Sequence, residues 1–180
     1  MREFGKIYSQ FWTSPNIVAL SDQGKLLACY LLTCSHGNIT GLYRLPNGYV
    51  TDDLGWSPET VGEGFSELFA NGFIDRDEAT GWTLVHRFLK WNRVENPNQG
   101  KAFEKMFDQI PEVPMKSELA AIALEFVPHL REPFRNRLET VSEPFRNKQK
   151  EKESKERERL TPTTAVPAGV LPGQEANDVF

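Results

Sequence analysis

Leu45 to Phe88 reads LPNGYVTDDLGWSPETVGEGFSELFANGFIDRDEATGWTLVHRF, four elements in a row. The best marked is a helix that starts after Ser57. A serine at the N-cap accepts from a free backbone N–H, Pro58 has no N–H to leave unpaired, and Glu59 suits the positive end of the dipole. Val61, Phe65, Leu68 and Phe69 recur at i, i+4, i+7 and i+8, which predicts one apolar face. Asn71-Gly72 is a stop signal, because glycine takes the left-handed conformation without a Cβ clash. Upstream, Tyr49, Val50 and Leu54 predict the buried side of a shorter helix closed by Gly55. Only Trp56 and Ser57 then separate the two helices, the spacing of a helix-turn-helix. Downstream, Phe73-Ile74-Asp75-Arg76 and Trp82-Thr83-Leu84-Val85-His86-Arg87-Phe88 are runs rich in β formers. The polar loop between them ends in Gly81, so they predict a hairpin.

Outward from this stretch, residues 4–12 (FGKIYSQFW) are aromatic-rich and predict either a strand or an apolar arm laid on the domain. Ser14-Pro15-Asn16 is a turn signal. Ser21 is an N-cap for a helix to about Thr33, with Leu26, Leu27, Tyr30, Leu31 and Cys34 as its buried face. Leu42-Tyr43-Arg44-Leu45 predicts a strand that pairs with the hairpin. The order helix, strand, helix, helix, strand, strand predicts an α+β winged helix-turn-helix over about residues 1–95, with the hairpin as the wing. After a break at Asn96-Pro97-Asn98, a helical extension is expected over 96–130. Phe103, Met106, Phe107 and Ile110 share a face in Gln99–Ile110, and Ser117 caps a helix over Glu118–Val127, with Leu119, Ile122 and Phe126 on one side. Over 131–160 the pattern changes. Glu132-Pro133-Phe134-Arg135-Asn136 recurs as Glu143-Pro144-Phe145-Arg146-Asn147, and two copies are too few for a solenoid. They read as linear segments of a charged linker, either docking motifs or a duplication without a role. Lys148–Arg159 is a mixed-charge run, either a solvated helix or disordered. Residues 161–180, with Pro162, Pro167 and Pro172 and no apolar period, predict a disordered tail.

The chain has 180 residues and 39% hydrophobic content, enough for one core plus extras. No apolar run approaches the ~18 residues of a membrane span, so no membrane is expected among the partners. No basic segment leads into an apolar one at the N-terminus, so no signal peptide is expected. Cys29 and Cys34 form no CxxC and do not share a helical face. Two buried free thiols in a cytoplasm follow. His36, His86 and His129 are scattered, and neither a metal nor another cofactor is expected. Asp52-Asp53 is a carboxylate pair whose members point apart on a helix, and no phosphate-loop or nucleophile-elbow motif occurs. No enzyme is expected. The net charge of −4 is not that of a nucleic-acid binder. Its distribution says more: residues 1–95 hold eight Lys/Arg against eleven Asp/Glu, whereas residues 131–160 hold ten against seven.

A winged helix sets its second helix in the major groove and its wing on the backbone or minor groove. The positions off the apolar stripe are Glu59, Thr60, Glu63, Ser66 and Glu67, with no Lys or Arg between Ser57 and Asn71. A carboxylate accepts from cytosine N4 but repels phosphate. The wing side carries Arg76, Arg87, Lys90 and Arg93, with Arg44 on the neighbouring strand. These are either a phosphate-binding strip or surface cations offset by Asp75, Asp77 and Glu78. Thr51, Ser57 and Thr60 complete the candidate DNA contacts. Gly62 and Gly64 each cost about 1 kcal/mol against alanine inside a helix. They mark either a close approach or a loosely made helix. Trp56, Trp82 and Trp91 read as core first, and as stacking platforms for single-stranded bases second.

Several pieces together resemble the N-terminal winged-helix domain of phage and prophage replication initiation proteins. They are Phe11-Trp12, Leu26-Leu27, Tyr30-Leu31-Leu32-Thr33, Gly41-Leu42-Tyr43-Arg44-Leu45-Pro46, Asp53-Leu54-Gly55-Trp56-Ser57, Gly72-Phe73-Ile74 and Phe88-Leu89-Lys90-Trp91-Asn92. These proteins are the replisome organisers, related in architecture to the DnaD-like primosomal proteins. The resemblance spans about residues 4–110. It implies binding of origin DNA, most simply duplex, and recruitment of a helicase or its loader inside a bacterial host cell. Fuller members carry a second helical domain, for which residues beyond 160 offer no counterpart. Two other functions remain open: a protein–protein module of the same fold that does not bind DNA, and a transcriptional regulator. The oligomeric state is open too, a homo-oligomer included.

Overall fold

The computed structural model describes residues 4–160. A 3-10 turn (Ser9–Thr13) and a short helix α1 (Pro15–Val18) lead into α2 (Asp22–Thr33). Then come β1 (Leu42–Arg44), α3 (Asn47–Leu54), α4 (Pro58–Ala70), β2 (Ile74–Asp77) and β3 (Trp82–Val85). The chain continues with α5 (Phe88–Trp91), α6 (Pro97–Asp108), α7 (Met115–Phe126) and α8 (Glu132–Leu160). Among the described residues this is an α+β fold: helices around one antiparallel three-stranded sheet in the order β1-β3-β2. Leu42 faces Leu84 and Arg44 faces Trp82 on one side of β3, while Ile74 faces Val85 and Asp77 faces Trp82 on the other. From α2 to β3 the expected order of helices and strands is the observed one, but the second hairpin strand stops at Val85 and Phe88–Trp91 turns into a short helix instead. No described helix is long and apolar enough to cross a membrane. The tail expected to be disordered, residues 161–180, lies outside the described residues.

Local chemistry explains the element ends. The Ser21 hydroxyl accepts from Gly24 N–H at 2.9 Å and starts α2. The Ser57 hydroxyl does the same for Thr60 N–H and starts α4, with Pro58 behind it. Gly55 closes α3 in the left-handed conformation at φ 66°. At the end of α4, Gly72 (φ 73°) donates to Phe69 O and Phe73 N–H reaches back to Leu68 O at 2.9 Å. That pair of bonds is the Schellman arrangement, which occupies two otherwise free carbonyls. The β2–β3 turn is built by Asp77, whose carboxylate accepts from Ala79 N–H and the Thr80 hydroxyl.

The core runs from Leu27, Leu31, Leu42, Val50, Phe65 and Ile74 through Phe103 and Phe107 to Leu119 and Leu138. Three residues expected inside face solvent instead: Leu26 is 50% exposed, Tyr49 46% and Phe69 56%. On α4 the buried set is Val61, Gly64, Phe65 and Leu68, a narrower stripe than the apolar residues suggested. Helix α2 packs against that stripe. A Cβ on Gly64 would lie 2.9 Å from Leu27 Cδ2, whereas one on Gly62 would meet nothing within 4 Å. Of the two glycines, Gly64 marks a close approach.

The reading of residues 131–160 as linear segments is corrected. Glu132–Leu160 is one helix, and its first half is part of the core. Phe134 packs edge-on against Phe107 with ring centroids 5.5 Å apart, and Leu138 and Ser142 are buried. Phe134, Leu138, Val141 and Phe145 fall at i, i+4, i+7 and i+11, so one stripe runs through both copies of the repeat. Eleven residues return to nearly the same helical face. Phe134 is therefore buried, and Phe145 lies half-buried further along the same face. Pro133 sits harmlessly in the first turn, while Pro144 forfeits one backbone bond inside the helix. Where α6 meets the loop before α8, buried Glu104 accepts from the backbone N–H and guanidinium of Arg131. That bond holds the Glu104 carboxyl below its ordinary range.

Candidate nucleic-acid interface

The eight residues expected to touch DNA do not form one surface. Arg76 is the clearest correction. Strand residues alternate between faces, so Arg76 shares the core side with Ile74. Its side chain is 2% exposed. The guanidinium donates to Thr83 Oγ1 at 2.5 Å, Leu45 O at 3.0 Å and Asn47 Oδ1 at 2.6 Å, and lies 3.8 Å above the centroid of the Phe65 ring. Burial pulls its pKa down, and the carboxylates of Glu78 and Asp77 pull it up. Arg76 binds the hairpin to β1 and α3 and is not available to phosphate. Arg44 sits at the turn end of the sheet, where its Nε donates to Thr80 O at 3.0 Å.

The second helix is occupied in ways its sequence does not display. The Glu67 carboxylate accepts from both the Ser21 backbone N–H and the Ser21 hydroxyl at 2.6 Å, tying α4 to the start of α2. Glu67 therefore leaves the set of groove-facing candidates. The Ser57 and Thr60 hydroxyls lie 3.2 Å apart and bond each other, and Ser66 Oγ donates back to Gly62 O. Thr51 is half-buried on α3. Glu59 and Glu63 are exposed. The Glu59 carboxyl is held below its usual range by the backbone N–H at the helix start and by the Ser57 hydroxyl. The outer face of α4 is acidic.

Arg87, Lys90 and Arg93 are all exposed on one seven-residue segment that follows β3, at the opposite end of that strand from the residue paired with Arg44. Phe88 and Leu89 are buried anchors of the single-turn helix α5, and Val94 is buried after it. With those three inside, Arg87, Lys90, Trp91 and Arg93 are left outside. The turn is held tightly. Gly41, at φ 78°, leaves no room for a side chain beside the Phe88 ring, and its carbonyl accepts from Val85 N–H. Arg87 itself adopts φ 60°, the left-handed region that is uncommon for a residue with a Cβ.

The N-terminal residues complete this surface. They form an arm, as one of the two expectations had it: Gly5 packs against the backbone of Leu32 and Thr33. Tyr8 meets Trp91 with ring centroids 5.5 Å apart, and Lys90 Nζ lies 5.5 Å from the Trp91 ring. Trp56 and Trp82 pack on the core, whereas Trp91 is 39% exposed. The alternation of aromatics with Lys6 in FGKIYSQFW was the available signal for this. Nothing in the spacing told that the arm would reach α5.

Sequence reading also missed two polar clusters. His86 follows β3, with Glu118 Oε1 3.3 Å from Nδ1 and Asp75 Oδ2 3.7 Å from Nε2. The Glu118 hydrogen bond raises the imidazole pKa most, burial opposes it, and Asp75 adds to the rise. The three ligand atoms lie within 4.8 Å of one another. The two ring nitrogens face different carboxylates, so the site suits an imidazolium flanked by two negative charges. A metal ion would need one carboxylate to swing to the other nitrogen's side. In the second cluster, Asp53 accepts from the Tyr30 hydroxyl at 2.6 Å and lies 3.1 Å from His36 Nε2, while His36 stacks on Tyr49. Cys29 and Cys34 are free thiols, Cys34 buried and Cys29 half-buried, and burial raises both pKa values.

No protein-family model, curated protein or solved structure matches this chain.

Proposed function

We propose that residues 4–95 form a winged helix, and that the protein is a DNA-binding adaptor in phage or prophage replication initiation. In this reading DNA is held at the α5 end of the sheet, and the acidic face of α4 meets a protein partner such as a helicase or its loader. One observation carries the DNA half. Arg87, Lys90 and Arg93 are exposed on one short, well-anchored segment, with no carboxylate paired to any of them among the described residues. Cations held that way give up few contacts when they meet phosphate, and they make binding salt-dependent. The family resemblance and the element order supply the replication context.

A second reading is favoured by Glu59 and Glu63 on α4: a module that binds only protein. Fluorescence anisotropy of the full chain with labelled duplex and single-stranded DNA separates the two. Three phosphate contacts give a slope of about −2.7 in log affinity against log salt, or roughly 40-fold between ~50 and ~200 mM. The combined Arg87→Ala, Lys90→Ala and Arg93→Ala variant flattens that slope. If no DNA binds at micromolar protein, the DNA-binding reading fails and the protein-only module replaces it.

A further inference from the structure

Beside the three cations lies a pocket of about 120 Å³ whose walls include Lys6, Tyr8, Phe11, Arg87, Phe88 and Trp91. We infer that this pocket takes an unstacked base of single-stranded DNA, with Trp91 and Tyr8 as its stacking faces and Arg87, Lys90 and Arg93 on the flanking phosphates. The inference rests on the DNA-binding reading above and adds to it the strandedness and the seat of the base.

The chemistry favours this occupant on three counts. Trp91 and Tyr8 are large rings left exposed side by side and packed on each other at 5.5 Å and 45°, so together they form one aromatic wall of the cleft. A duplex offers base edges to such a cleft, whereas a single strand offers whole base faces. The pocket is largely apolar within, and cations stand on its rim: Arg87 and Lys6 line it, and Lys90 stands over the Trp91 ring. That is the pattern of a polyanion with flat apolar side groups. Glu95 is the opposing charge, 4.0 Å from Lys6, so Lys6 is half-committed and the other three cations are the better phosphate contacts. An apolar peptide would fill the pocket but leave the cations without partners.

The test uses the full chain, an oligothymidine of about 15 nucleotides and an abasic strand of the same length and charge, because base–aromatic stacking tolerates any sequence. Anisotropy is expected to show the abasic strand binding at least about 5-fold more weakly. Trp91→Ala weakens oligothymidine by a similar factor and leaves the abasic strand unchanged. Trp91→Phe retains oligothymidine binding but loses part of the intrinsic tryptophan quenching that accompanies it, a readout that a merely structural role for Trp91 would not move. Trp91 is partly exposed, and a urea unfolding curve identical to the unmodified chain's verifies that the alanine variant folds. Equal affinity for the two strands, or no effect of Trp91→Ala, overturns the inference while duplex binding leaves the DNA-binding reading standing. Failure of every oligonucleotide to bind takes both down and leaves the pocket to a protein partner.

Discussion

Replacing Arg76 by alanine separates a cation that holds the fold from one that holds a ligand. The side chain is 2% exposed and makes three hydrogen bonds from a charged donor, besides resting on Phe65. Hydrogen bonds to a charged group are worth about 1.5–3 kcal/mol each, but they share one desolvation cost and do not add. Its ionic partner Glu78 is largely exposed, so the truncation strands no buried charge. The larger part of the loss is the Thr83 hydroxyl and the Leu45 carbonyl left without their donor, together with the cavity beside Phe65. We expect a destabilisation of about 3 kcal/mol, within the range that breaking a buried polar network gives. For a chain of this length that is roughly 6–12 °C in Tm. Arg76→Lys should recover less than half, because an ammonium does not reproduce the planar fork that reaches three acceptors. Arg87→Ala and Arg93→Ala should stay within about 0.5 kcal/mol as surface changes. Urea unfolding followed by circular dichroism measures all four. An Arg76→Ala chain within about 1 kcal/mol of the unmodified protein would refute the reasoning and return Arg76 to the list of ligand contacts.

The other predictions concern the sheet–helix contact, α4 and α8. His86 has a raised folded pKa through Glu118 and then Asp75, so its contribution is fully present below its ordinary pKa of 6.5 and is lost as pH rises through the folded value. The urea midpoint should therefore fall as pH is raised above 6.5, and Glu118→Gln should shrink that fall; a pH-independent difference between the two proteins would contradict it. Gly62→Ala should stabilise by about 0.5–1 kcal/mol, since the site is open and alanine is the better helix former. Gly64→Val should destabilise, because its Cβ meets Leu27 on α2, and thermal melts read both signs. Phe134→Ala should cost about 3–5 kcal/mol by opening a cavity beside Phe107, and Phe145→Ala far less, although the two occupy matching places in the repeat. Equal effects in chemical denaturation would mean that both copies are core.

Helix ends and strand runs were legible in the chain because their causes are local. Ser21 and Ser57 bond a backbone N–H three residues on, and Gly55 and Gly72 supply the left-handed residue that ends a helix, whereas Asn96, read as a break, caps α6 in the same way. Two expectations failed by being read too locally. Alternation along Ile74-Asp75-Arg76 places the arginine with the isoleucine, yet its charge suggested the outside. The stripe from Phe134 to Phe145 was broken up by attention to the repeat. The candidate interface was half visible: Arg87, Lys90 and Arg93 lie within seven residues, and buried Phe88, Leu89 and Val94 turn them outward.

What the sequence determined by itself is therefore whatever a few neighbouring residues decide: caps, stops, the hairpin and the order of elements. Only the tertiary structure decided which distant groups meet. It brought Glu67 to Ser21 across 46 residues, set Glu118 beside His86, and laid Tyr8 against Trp91. Such pairs depend on how packed elements orient one another, and burial then assigns a charge its role. Arg76 on the hairpin and Arg87 just after it are the same residue type. One is desolvated and spent inside the fold, and the other stands in water, free to meet an anion.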